Sequence, residues 1–144
     1  MSKRAMSTQP ISKPLNHGDI AIRVRYAETD RMGLLHHANY LVYFEQARTE
    51  LLRSQGLTYK DVEDQGFFLV LTKLEVRYKR PARYDDLLTV RTFVERTTTV
   101  RIDHRYEVFR ENELLAEATS TLACIDRYGR PQALPDYLRT RREG

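Results

Sequence analysis

The chain has 144 residues, enough for one domain whose core needs no disulfide or metal. Hydrophobic residues make up 41% and charged residues 31%, which excludes a disordered chain, and no apolar run approaches the roughly 18–20 residues of a membrane helix. The net charge is +4, yet Lys3, Arg4 and Lys13 give +3, the end from Arg139 gives +2, and residues 19–138 are left with −1; a nucleic-acid-binding face needs a basic stripe on the folded body.

In chain order, residues 1–18 are polar and aperiodic, which predicts a flexible lead-in without the apolar core of a secretory signal. Residues 19–138 read as one domain and 139–144 as a basic tail. In residues 20–26, Ile20, Ile22, Val24 and Tyr26 alternate with Ala21, Arg23 and Arg25, predicting a strand with one buried face. A segment with Asp30, Gly33, His36 and His37 follows. The stretch from Asn39 to Gly56 reads as a helix. Tyr40, Phe44, Ala47 and Leu51 form its apolar stripe, and Leu41, Val42, Tyr43 and Leu52 widen it. Such a helix is wrapped by a sheet or a partner. Gly56 is the expected stop.

Residues 58–65 predict one or two helical turns, and the chain after residue 66 reads as strands. Within 68–80, Val70, Thr72, Leu74, Val76 and Tyr78 alternate with Lys73, Glu75, Arg77 and Lys79, and Pro81 ends the run. Residues 86–96, 99–109 and 113–126 continue the alternation, with Leu88, Val90, Ile102, His104, Tyr106, Ala116, Ala118 and Cys124 among the positions on one face. The short breaks suit antiparallel hairpins. One long helix must then cover the sheet's apolar face. The expected class is α+β, an antiparallel sheet around a central helix. The single cysteine, Cys124, excludes an internal disulfide framework and suits a reducing cytosol.

No Gly-x-Ser-x-Gly elbow, P-loop or Gly-x-Gly-x-x-Gly cradle is present. His36 and His37 are adjacent, so on a helix they diverge by about 100° and do not clamp one metal. What remains is Asp30, in a Gly-containing turn before a buried helix. A helix N-terminus offers unpaired N–H groups and a partial positive charge, which polarise a carbonyl. Gly33 gives the turn the freedom to bring the carboxylate back. A carboxylate beside such donors suits acyl transfer, as nucleophile or as base for water. The plainer alternative has Asp30 capping the helix or pairing with Arg25 or Arg31.

The run Tyr26-Ala27-Glu28-Thr29-Asp30-Arg31-Met32-Gly33, followed by His36-His37-Ala38-Asn39-Tyr40 and continuing to Arg48, resembles the signature of hotdog-fold acyl-CoA thioesterases. The resemblance is to the 4-hydroxybenzoyl-CoA thioesterase branch, which includes the Tol–Pal-associated thioesterases. It extends to Arg77–Asp86 and covers roughly residues 20–137. It implies a long helix wrapped by an antiparallel sheet, Asp30 as the catalytic carboxylate, and the His37 backbone N–H as oxyanion donor, with its imidazole as an aid. Gly33, Asn39 and Tyr40 match positions that shape the helix start and the substrate site. Family sites lie between subunits, so a homodimer or homotetramer is implied. Met32 stands where many relatives carry a smaller residue.

The resemblance also implies basic residues for coenzyme A phosphates: Arg96 and Arg101 flank one turn, and Lys79, Arg80 and Arg83 another. Glu45 and Arg48, one helical turn apart, form a local ion pair or else offer Glu45 to the site. The expected activity is hydrolysis of an acyl-CoA to a carboxylic acid and free CoA, without cofactor or metal. Two alternatives keep the fold: a thioesterase acting on acyl carrier protein, and a non-catalytic dimer that binds acyl-CoA.

Overall fold

The computed structural model describes residues 16–139. Five strands form one antiparallel sheet in the order β1-β3-β4-β5-β2: β1 His17–Arg23, β2 Phe68–Tyr78, β3 Leu87–Thr97, β4 Arg101–Arg110 and β5 Glu113–Ile125. Helix α1, Asn39–Ser54, lies on one face of the sheet, and α2, Tyr59–Asp64, follows it. The α+β class is as the alternation implied. Among the described residues no helix is long and apolar enough to cross a membrane.

The expected stripe of α1 is buried, with Tyr40, Phe44, Ala47 and Leu51 all inside together with Tyr43 and Leu52. Phe44 stacks on Tyr106 of β4 with ring centroids 4.5 Å apart. Leu88 and Val90 of β3, Tyr106 and Val108 of β4, and Ala116 and Ala118 of β5 complete the floor. Leu41 and Val42 instead face outward on α1. At the C-terminus the Gly56 N–H donates to Arg53 and the Leu57 N–H to Leu52, with Gly56 in the left-handed region at φ 87°. A second, smaller cluster of Ile102, Cys124 and Leu134 closes the far end of the sheet. There Cys124 is a small buried side chain.

Three expectations shift. The lead-in ends earlier, because β1 already includes His17 and Gly18; residues 1–15 and 140–144, with most of the lead-in and tail, lie outside the described residues. Strand β1 also stops at Arg23 rather than Tyr26. The Glu28 side chain reaches back to the Arg25 N–H and folds Tyr26–Glu28 into a single 3-10 turn, which leaves Tyr26 exposed. In β2 the pairing with β5 shifts register between Leu71 and Lys73. That bulge exchanges the faces of the strand. Leu74 and Val76 pack on the main core as expected, but Val70 and Thr72 are exposed, and Leu69 packs on the smaller cluster.

Candidate active site

The segment between β1 and α1 doubles back on itself. Thr29 bridges Leu35, the Asp30 N–H donates to Leu34 O at 2.8 Å, and the His36 N–H donates to Glu28 O at 2.9 Å. The reversal needs Gly33, whose φ of 79° lies where a side chain would be strained. A second bridge, Leu34 to Arg83, and the bond from Leu35 N–H to Ala82 O anchor this hairpin to the loop before β3. The hairpin then runs directly into α1.

Asp30 stands beside the tip. Its Oδ1 accepts the N–H of Met32 at 2.9 Å and of Leu34 at 3.1 Å. These bonds fix the side chain within its own turn, and Oδ2 takes no hydrogen bond among the described residues. The expected alternatives therefore separate. Among the described residues Asp30 neither caps α1 nor pairs with Arg25 or Arg31, and the Arg25 guanidinium goes to Glu28 at 2.9 Å. It remains exposed in the single chain.

His37 lies just ahead of α1. The first turn closes through Asn39 N–H to His36 O and Tyr40 N–H to His37 O, and the Ala38 N–H donates to His36 Nδ1 at 3.1 Å. The His37 N–H precedes these donors and finds no partner among the described residues. Its imidazole stacks on His36 at 4.3 Å. The hydroxyl of Tyr78, from β2, donates to His37 O at 3.2 Å and so braces the turn from the sheet edge.

Asn39 donates through Nδ2 to Glu28 O at 3.1 Å, and Tyr40 lies in the core with its ring edge against Tyr78. Burial pushes the Tyr40 phenol up to about 12. Both residues thus build the helix start from within. Arg96 and Arg101 do not join them. They sit where β3 ends and β4 begins, whereas the hairpin contacts the loop that leads into β3 through Ala82, Arg83 and Tyr84. Strand rise puts the two ends about 30 Å apart. Arg96 pairs there with Asp103 at 3.5 Å. Lys79 and Arg80 pair with Glu117 and Glu113.

Glu45 and Arg48 form no ion pair among the described residues. Arg48 Nη1 instead donates to the Tyr106 hydroxyl at 3.3 Å. Both residues line a groove between α1 and β2. Leu41, Val42 and Phe44 of α1 and Leu71 and Leu74 of β2 line it with them. The groove opens into a cleft of about 450 Å³ walled by Thr49, Tyr59, Leu69 and Leu122.

Sequence reasoning missed Glu28, Tyr43 and Tyr78. Glu28 is buried, a rare place for a carboxylate. The available signal was Arg25 three residues before Glu28, a spacing that lets the side chain cap its own turn.

A five-stranded antiparallel sheet wrapped on one long helix is the architecture of hotdog-fold thioesterases. The thioesterase-like superfamily matches residues 24–141, and the chain belongs to it as a thioester hydrolase. It is 37% identical over 120 residues to the acyl-CoA thioester hydrolase YbgC of Escherichia coli O6:H1, covering 81% of this chain and 89% of the relative. It is 38% identical over 106 residues to the acyl-CoA thioesterase YbgC of Haemophilus influenzae, covering 73% and 78%. Among solved structures it is similar to the DHNA-CoA thioesterase of Staphylococcus aureus. The TM-score is 0.80 at 35% identity, covering 85% of this chain and 83% of that one.

Proposed function

We propose that the protein hydrolyses an acyl-CoA thioester to a free carboxylic acid and CoA, with Asp30 and the His37 N–H as its reacting groups. The observation that carries this reading is the hairpin. One short segment holds both a carboxylate oxygen and, at the start of a buried helix, an amide that have no partner among the described residues. The amide receives the thioester oxygen and stabilises the charge that develops there. Asp30 Oδ2 either takes a proton from the attacking water, or attacks the carbonyl itself to give a mixed anhydride that water then opens to the acid and free Asp30; in both routes the thiolate of CoA leaves. In a single turnover in heavy-oxygen water, label found in the Asp30 carboxyl establishes direct attack, because the general-base route places it in the product alone.

The acyl group lies in the groove between α1 and β2, which is lined by Leu41, Leu71 and Leu74. A second copy of the chain completes the site. Its support is the outward apolar face of Leu41 and Val42 on α1, next to Val70 and Leu71 on the unpaired edge of β2. Arg96 and Arg101 reach CoA phosphates only from another copy, because they stand at the opposite end of their own sheet. The names of the related YbgC proteins and the DHNA-CoA thioesterase support CoA as the carrier.

The test is thiol release from a panel of acyl-CoAs by the purified protein, alongside the same acyl groups on acyl carrier protein. The reading expects turnover of at least one acyl-CoA with kcat/KM well above that of its carrier-protein counterpart. Preference for the carrier protein, weakening with salt as acidic partners do, would replace CoA as the substrate. Tight acyl-CoA binding without thiol release would overturn hydrolysis.

A further inference from the structure

Glu28 is the one buried carboxylate among the described residues, and every group around it belongs to the candidate site's frame. Its Oε1 accepts the Arg25 N–H at 2.9 Å and the Tyr43 hydroxyl at 2.7 Å. Its Oε2 accepts the Arg25 guanidinium through Nε at 3.1 Å and Nη2 at 2.9 Å. Its backbone carbonyl accepts both the His36 N–H and the Asn39 side chain. Burial pushes the carboxyl up, but the Arg25 N–H, the Tyr43 hydroxyl and the Arg25 guanidinium together hold it below its ordinary range. It is an anion with its hydrogen bonds filled.

The geometry matters because Glu28 faces both ways. Two residues after it comes Asp30, and its carbonyl is bonded to the residue just before His37. Tyr43 is on the inner face of α1, one turn beyond Asn39. We infer that Glu28 is a positioning residue for hydrolysis: together with Tyr43 it ties the Tyr26–Asp30 turn to the first turns of α1 and so sets the Asp30 carboxylate against the His37 amide. The inference rests on the assignment of Asp30 and His37 above. Glu28 touches no substrate and moves no proton. Its effect on rate arises because a carboxylate displaced by about 1 Å from its reacting partner loses on the order of a hundredfold in rate.

Glu28→Gln and Tyr43→Phe test this, each assayed for thiol release at a temperature where circular dichroism shows the variant folded. Glu28→Gln keeps the size of the side chain and removes the charge. Tyr43→Phe keeps the ring and removes one donor. The expected result is a fall in kcat of about 10- to 100-fold for Glu28→Gln and a smaller fall for Tyr43→Phe, with KM within about threefold of wild type. The double variant falls no further than Glu28→Gln alone, since both act through one contact. A purely structural role would lower the unfolding midpoint and leave kcat of the folded protein at the wild-type value, and that result overturns the inference. Where Glu28→Gln fails to fold, a wild-type kcat in Tyr43→Phe overturns it equally. Asp30→Asn run in parallel separates the two claims. An inactive Asp30→Asn beside fully active Glu28→Gln and Tyr43→Phe refutes the positioning role alone. An active Asp30→Asn refutes the underlying site as well.

Discussion

His104 shows how far a single residue can depart from its ordinary chemistry. It lies on β4, stacked on Tyr106, and its Nδ1 has no hydrogen-bond partner among the described residues. Burial, with the Arg48 charge nearby, pushes its pKa down to about 3 from 6.5. The folded protein therefore holds it neutral, while the unfolded chain binds a proton below 6.5. Its contribution to stability is intact above that value and is withdrawn as the pH falls towards 3, by up to about 1.4 kcal/mol per pH unit. Denaturant titrations across this range should show His104→Leu losing less stability on acidification than the wild type. An unchanged acid dependence would show that other groups govern it. At this scale the sequence was legible where a residue acts locally. Asp30 and Gly33 stood out because a turn needs a glycine and a carboxylate needs a reason to be there. Glu28 did not, because its meaning depends on Tyr43, fifteen residues away. For Arg96 and Arg101 the sequence showed only that they flank a turn, which says nothing about the end of the sheet the turn occupies or which copy's site they could serve.

At the scale of elements, α1 carries the fold. Phe44 is fully buried between the helix and the Tyr106 ring. Phe44→Ala should destabilise the protein by about 3–5 kcal/mol, read as a shift of the denaturation midpoint without a change of slope. A loss below about 1 kcal/mol would mean that the core closes over the gap. The helix was legible because its apolar stripe repeats every turn and Gly56 stops it. Strands β3 and β4 were legible for the same reason, their alternation being unbroken where they face the helix. Strand β2 was not. Its alternation looks continuous in the sequence, yet the bulge between Leu71 and Lys73 reverses its faces, and a bulge leaves no mark on a period-2 pattern. The end of β1 was hidden similarly. Tyr26 keeps the apolar rhythm, but the Glu28 cap takes the chain out of the sheet.

At the scale of the whole molecule, the sheet has one edge that invites company. Val70, Leu71 and Tyr78 of β2 are exposed together with Leu41 and Val42 of α1. An unpaired, apolar edge strand is a template for a second copy. Light scattering on the purified protein should give at least twice the chain mass of 17.0 kDa. Val42→Asp should shift it towards the monomer and lower thiol release in parallel, because the groove between α1 and β2 then lies open to water. A monomeric wild type that is fully active would remove the second copy from the site. The antiparallel α+β plan and its single helix followed from sequence periodicity, but assembly did not, since one chain's pattern does not say how two chains meet.

The central proposal is that the hairpin before α1 brings Asp30 and the His37 N–H to one thioester. The most direct measurement is kcat for thiol release by Asp30→Asn, on the best acyl-CoA found for the wild type, with folding and assembly checked in the same preparation. The account predicts a loss of about 10²–10⁴ with the unfolding midpoint and oligomeric state retained. A folded, assembled Asp30→Asn protein that releases CoA at the wild-type rate would contradict it.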